Sequence, residues 1–549
     1  MSIRKAVAIS LVAVWLSGVV LNPGVLGAAG PAKGMKSAEV TVKKGAPVTP
    51  IQHLVVIFQE NVSFDHYFGT YPNAANPSGE PQFTPLPETP TVNGLSTALL
   101  NNNPNFLNAN NGAGAANPFR LDRSQNFTND QDHDYTAEQS AFDAGLMDSF
   151  PLYTGTAGPP PNPPPSTVTT TGLVLGYYDG NTVTGLWNYA QHFAMSDNSY
   201  GTTFGPSTPG VLNLISGQTN GVTATLNGTG DETDGGNGSL TVVGDPDPIG
   251  DVCSNPTRNQ VTVGASNIGD ALTKAGVTWG SFMGGFNLSI VNPNRTTGCS
   301  RSTTSPFTGV TTNDYIPHHS FFEYYTSTAN PNHTRPKSVY SIGYPGDPAN
   351  NEYDLQDFFA AIRAGNFPAV SFLKAIGLQD GHAGYSSPLD EQNFLATTIN
   401  FLERQPEWSS TLVVIMYDDS DGWYDHQMGP VVNQSAGAAD TLTGPGTCGS
   451  ANNALPGPAG NPHALGRCGY GPRLPLLLIS PYAKANFVDH SITDQSSIIR
   501  FIEDNWLGGQ RLGSGSFDAL AGSIQNMLDF TQAPNPPLFL NPSTGEPAS

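Results

Sequence analysis

Residues 53–59 (HLVVIFQ) and 411–417 (TLVVIMY) are unbroken apolar runs, and each passes directly into oxygen donors. Glu60 and Asn61 follow the first run, Asp418 and Asp419 the second. An apolar run without in/out alternation suits a strand covered on both faces, the usual situation in a parallel sheet. Residues 277–283, 369–375 and 474–480 read the same way. Helical patterns alternate with these runs. Residues 388–405 have Ser387 as N-cap and Pro388 at the first helical position, 493–506 start at Thr493, and 267–276 close on Gly276. The alternation predicts an α/β fold with a mostly parallel central sheet flanked by helices, in which ligands gather beyond the carboxyl ends of the strands.

The stretches 72–120, 155–172, 218–262 and 430–472 are poor in apolar residues and rich in Gly, Pro and Asn. They read as long loop insertions, partly ordered and partly mobile, within one catalytic domain over 45–510, followed by a tail at 511–549. Residues 1–29 have the pattern of a secretory signal: Arg4 and Lys5, an apolar run over 6–21, then small residues. The run is shorter than the roughly 18 to 20 residues that a membrane span needs, so no stable membrane anchor is expected. Export to a secreted or periplasmic location puts Cys253, Cys299, Cys448 and Cys468 in an oxidising compartment. Of the three possible pairings, neighbours with neighbours is the simplest: Cys253–Cys299 and Cys448–Cys468. The net charge of -22 argues against nucleic acid or an acidic membrane as partner.

Only 12% of residues are charged, so the acids that close 411–417 stand out against a sparsely charged chain. Three carboxylates and an amide converging at two strand ends suit a hard divalent cation. Taken alone, each acidic pair also suits a helix cap or a solvated loop. A third element is FGPSTPGVLNLISG at 204–217, with Ser207 just before a short apolar helix and Pro209 near its first turn. Helix N-termini bind phosphate through free N–H groups, and a serine there beside a cation is a candidate phosphoryl-accepting nucleophile, although an ordinary N-cap is also open to it. The context lacks the Gly-x-Ser-x-Gly of a lipase-type elbow.

The blocks VVIFQENVSFDHYFGTYP, DQDHDY with GLMDSF, FGPSTPG, YIPHHSFFEYY, DGHAGYSSP and YDDSDGWYDH resemble, in order, the signature blocks of a bacterial phosphoesterase family. That family contains phospholipases C and acid phosphatases and is similar in fold to alkaline phosphatase. The resemblance implies that Glu60, Asn61, Asp418 and Asp419 are metal ligands for one Ca, Mg or Mn-class cation, with Ser207 bridging metal and phosphorus. It implies roles for His133, His318, His319 and His382 as donors to phosphate oxygens and to the leaving group, with His382 and His133 ranked first. Asp421, Asp425 and His426 then shape the loop. Many phospholipases C of the family carry threonine at the nucleophile and asparagine after the proline. Ser207 and Gly210 bring this chain nearer the acid phosphatase branch.

The expected substrate is a phosphate monoester or a phospholipid. A phospholipase C preferring phosphatidylcholine-type diesters is the alternative within the class, and a non-catalytic surface-binding protein the alternative outside it.

Overall fold

A computed structural model describes residues 45–157, 168–228, 230–235, 239–449 and 467–548. The expected signal at 1–29 and parts of the 155–172, 218–262 and 430–472 insertions lie outside the described residues.

The central sheet contains β1 (His53–Gln59), β2 (Ala194–Ser196), β3 (Trp279–Met283), β4 (Glu352–Asp354), β5 (Val370–Lys374), β6 (Thr411–Tyr417), β7 (Leu476–Ile479) and β8 (Phe487–Asp489). Their spatial order is β4-β3-β5-β1-β6-β7-β2-β8. All neighbours pair parallel except β7, which runs antiparallel to both β6 and β2. The mostly parallel α/β fold read from the apolar runs is therefore the fold of the chain. Every residue of β3, β5, β6 and β7 is buried, as expected of strands covered on both faces.

The principal helices are α1 (Phe64–Phe68), α2 (Tyr135–Phe142), α3 (Thr184–His192), α4 (Ser207–Ser216), α5 (Ile268–Ala275), α6 (Leu355–Arg363), α7 (Pro388–Glu403) and α8 (Ser497–Trp506). Helices α4, α5 and α8 pack together, as do α3 and α7. Ser387 caps α7 by accepting from Asp390 N–H, and Gly276 ends α5 in the left-handed region, both as expected. The expected start of α8 at Thr493 is corrected. Thr493–Asp494 pair parallel with Ser199–Tyr200, and the helix begins at Ser497. A tertiary strand pairing has displaced the local capping signal.

The insertion at 218–262 is an ordered five-stranded sheet, and its strand Asn220–Leu226 is largely exposed. Residues 511–548 also pack on the domain: Phe517 and Leu540 are buried, and Leu540 exchanges hydrogen bonds with Asn400. Disulfides join Cys253 to Cys299 and Cys448 to Cys468, the expected pairing. No helix among the described residues is long and apolar enough to cross a membrane.

An ion network ties the loop after β6 to α1. Arg473 is fully buried and donates to Asp65 at 3.0 Å and Asp425 at 3.1 Å, while the Asp65 carboxylate also meets His426 Nδ1 at 2.6 Å. Burial works against charge on Asp65, but His426 and Arg473 outweigh it and hold the carboxyl below its ordinary range. Burial likewise works against charge on His426, and Asp65 outweighs it, so the imidazole is raised. A raised histidine stabilises the fold fully below its unfolded pKa of about 6.5 and loses that contribution as pH rises through the folded value. The lowered carboxyl acts above about pH 4 and loses its contribution as pH falls further. His426→Ala is thus expected to cost about 1 kcal/mol near pH 5.5 and less near pH 9. Urea unfolding at the two pH values checks this, and an equal cost at both contradicts it.

Candidate active site

The parallel register of β1 against β6 pairs Gln59 with Tyr417, so the residues that follow, Glu60 and Asp418, leave the sheet side by side. The main chain locks this arrangement: Asp418 N–H donates to Gln59 O, Val62 N–H to Asp419 O, and Glu60 N–H to Asp380 O. Two separate apolar runs thereby deliver their polar ends to one point.

Helix α4 brings Ser207 to that point. Gly205 precedes it at φ +113°, a conformation that favours glycine, and Pro206 occupies the N-cap position. Ser207 is the first residue of the helix and is 1% exposed. Its hydroxyl does not cap the helix. It lies 3.0 Å from Glu60 Oε2, to which it donates, with Asp419 Oδ2 at 3.4 Å as a further acceptor. At this helix end, the Thr208 N–H, expected to be free, donates to Asp245 at 2.8 Å.

Gly210 explains the close approach. A Cβ there would lie 2.4 Å from the Asp418 carbonyl oxygen and 2.7 Å from its Cβ. Gly210→Ala must push α4 away from the β6 terminus, and with it Ser207 from its carboxylates. We expect this substitution to lower stability by about 1–3 kcal/mol and turnover about a hundredfold. Thermal melting and steady-state rates check it, and unchanged turnover contradicts it.

The expected oxygen donors do not all stand alike. Glu60, Asp419 and Ser207 present oxygens to one another, and Asn61 Oδ1 is buried with no hydrogen-bond partner, while its Nδ2 meets His133 Nε2 at 3.3 Å. Asp418 accepts from Asp419 N–H and turns its other oxygen toward Lys374 Nζ at 3.4 Å. Burial, reinforced by Glu60 and only partly offset by His133, pushes Asp419 up to about 7, and burial and Glu60 likewise raise Asp418. These are buried oxygens with more negative charge than their neighbours compensate. The donor set and the orphaned Asn61 oxygen fit a hard divalent cation.

Two of the four candidate histidines, His319 and His133, touch the proposed oxygen donors, and His382 stands beside them with its Nδ1 against the Ala383 carbonyl. His319 Nδ1 is 3.2 Å from Glu60 and 3.7 Å from Asp380. The His382 ring lies nearly parallel to that of His319, centroids 6.5 Å apart, and 5.7 Å from the ring of His133. His318 instead points its Nδ1 toward Asp247 at 3.6 Å. Burial lowers His319 despite the pull of Glu60. In His133 the charges of Asp419, Asp421 and Asp130 outweigh burial and raise it. Asp130, His133, His382 and Asp421 also form a group whose ligand atoms lie within 4.8 Å of one another.

Two acidic neighbours and one basic one join the site without a place in the expected set. Asp380 accepts from His382 N–H and from the Tyr385 hydroxyl. Glu138, on α2, accepts from Gly205 N–H and the Ser420 hydroxyl, and burial together with Asp419 pushes it up to about 8. Lys374 closes β5 and hydrogen-bonds Glu60. Its signal was a lysine ending a strand with no exposed face.

A buried serine at a helix N-terminus, donating to carboxylates at the carboxyl end of a mostly parallel sheet, with His319 against Glu60 and His133 against Asn61, is the arrangement found here. Residues 51–507 match the Phosphoesterase family, and the chain belongs to it. It is similar to the non-hemolytic phospholipase C of Pseudomonas aeruginosa, 24% identical over 90% of this chain and 60% of that protein. It is also similar to phospholipase C A of Mycobacterium tuberculosis, 23% identical over 89% of this chain and 79% of that protein. The chain thus spans about three fifths of the Pseudomonas relative's length. Among solved structures, it is similar to a protein in the alkaline phosphatase superfamily from Vibrio parahaemolyticus, with TM-score 0.29 and 10% identity over 86% of this chain and 71% of that one.

Proposed function

We propose that the chain is an exported phosphoric ester hydrolase that works through Ser207. The observation that carries this reading is the Ser207 hydroxyl, 1% exposed yet donating to Glu60 and placed within reach of Asp419. The Ser207 oxygen attacks phosphorus in line, its proton passes to one of those carboxylates, and the P–O bond to the alcohol breaks. His133, His319 and His382 donate to the non-bridging oxygens, and His382 or His133 protonates the departing alcohol. Water then attacks the phosphoserine and the same histidine accepts its proton; the bond from phosphorus to the Ser207 oxygen breaks, the carboxylate returns its proton to that oxygen, and phosphate is released. A Ca, Mg or Mn-class cation bound by Glu60, Asn61, Asp418, Asp419 and Ser207 would supply positive charge that lowers the serine pKa and counters charge on phosphate.

Ser207 and Gly210 favour phosphate monoesters. The phospholipase C names of two relatives favour a second reading, hydrolysis of phospholipid diesters, for which a choline phosphodiester serves as the probe. Hydrolysis of p-nitrophenyl phosphate and p-nitrophenyl phosphorylcholine, with and without chelator, separates them. We expect the monoester to be cleaved at least as fast as the diester and both rates to fall on chelation. A clear preference for the choline diester would move the chain to the phospholipase C reading, and activity on neither would leave a non-catalytic binding protein.

A further inference from the structure

Lys374 has no place in the proposed reaction, yet it stands at its centre. It is the last residue of β5, between β3 and β1, and is 1% exposed. Its ammonium donates to Glu60 Oε1, lies 3.4 Å from Asp418 Oδ2, and sits 5.4 Å from the Phe58 ring centroid. Burying a lysine on a strand between two others is costly unless its charge is matched. Here it is matched by two of the carboxylates assigned to the cation.

The Lys374 contacts divide Glu60. Oε1 is engaged by Lys374 and by His319, while Oε2 is turned to Ser207. Three carboxylates, Glu60, Asp418 and Asp419, stand against one ammonium. A divalent cation among three carboxylates leaves one negative charge uncancelled, and a phosphate ester, itself anionic, would be repelled from such a pocket. With the ammonium counted, the charges of these three carboxylates and the cation cancel, Asp380 standing outside them against His319 at 3.7 Å. Resting on the proposed function, we infer that Lys374 is the positioning and selectivity residue of this site: it cancels the third carboxylate, so the loaded pocket accepts an anionic phosphate, and it keeps Glu60 Oε2 on Ser207.

This role makes two demands of opposite sign. The ammonium repels a bound cation and attracts a bound phosphate, so removing its charge must tighten the first and loosen the second. Loss of a merely structural lysine loosens both.

The test uses the full chain and its Lys374→Gln and Lys374→Met variants, prepared with Mn2+ present so that a cation can replace the missing charge. Mn2+ affinity is measured by competition with a chelator, and inorganic phosphate affinity by calorimetry on the Mn2+-saturated proteins. For both variants we expect the Mn2+ Kd to fall about tenfold and the phosphate Kd to rise at least about tenfold. We also expect added Mn2+ to raise the melting temperature more in the variants than in the unaltered protein. Lys374→Arg, which keeps the charge, is expected to bring both constants back toward those of the unaltered protein. Both constants unchanged, both weakened together, or variants that fail to fold with Mn2+ present would overturn the inference. An unaltered protein that binds neither probe would instead overturn the proposed function.

Discussion

Ser207→Ala is expected to fold as the unaltered protein does and to lose kcat by at least about a thousandfold. The fold should survive because the side chain does little structural work. Pro206, not Ser207, occupies the N-cap position of α4, the helix is fixed by its apolar face, and the hydroxyl donates only into the carboxylate pair. Its removal costs about 1 kcal/mol at most, the net worth of one hydrogen bond. The chemical loss is far larger because alanine offers no oxygen to form the phosphoenzyme. Turnover near that of the unaltered protein would mean that water attacks phosphorus directly and that the helix serves only to bind.

Asp419→Asn carries the second large effect. Asp419 is anchored through Oδ1, which accepts from Asp421 N–H at 2.7 Å, and faces Ser207 with Oδ2. Asparagine keeps the shape and removes the charge. Cation affinity and kcat/KM are therefore expected to fall together, each by about a hundredfold or more. Retained metal would point to another site, and the group formed by Asp130, His133, His382 and Asp421 is the alternative in view. Zinc held there in active protein would reverse the roles assigned to oxygen and nitrogen donors.

How much of this could be read from the sequence depended on how local the cause was. The buried strands were visible because a strand covered on both faces must be apolar throughout, and the polar residues closing β1 and β6 were visible by contrast. Their convergence is a matter of register, since Gln59 opposite Tyr417 brings Glu60 beside Asp418, and no property of either segment alone sets that pairing. Lys374 was hidden for the same reason: a lysine closing a strand looks solvated until the neighbouring strand presents Glu60 to it. Thr493 had the local signature of a helix start, but Thr493–Asp494 are taken by pairing with Ser199–Tyr200. Most strands of 218–262 are short, and the longest, Asn220–Leu226, is largely exposed, so they lacked the apolar periodicity that would have announced them. His318 and His319 are adjacent, and only the short helical turn Pro317–His319 separates their directions, one toward Asp247 and the other toward Glu60.

Phosphorus is expected to pass through a bond to Ser207. Rapid acid quench of the enzyme turning over p-nitrophenyl phosphate, followed by proteolysis and mass spectrometry, reads that bond directly. One phosphoryl group is expected on the peptide carrying Ser207, absent from Ser207→Ala. An active enzyme whose quenched Ser207 peptide carries no phosphoryl group at any time, while product forms in a burst-free single phase, would contradict it.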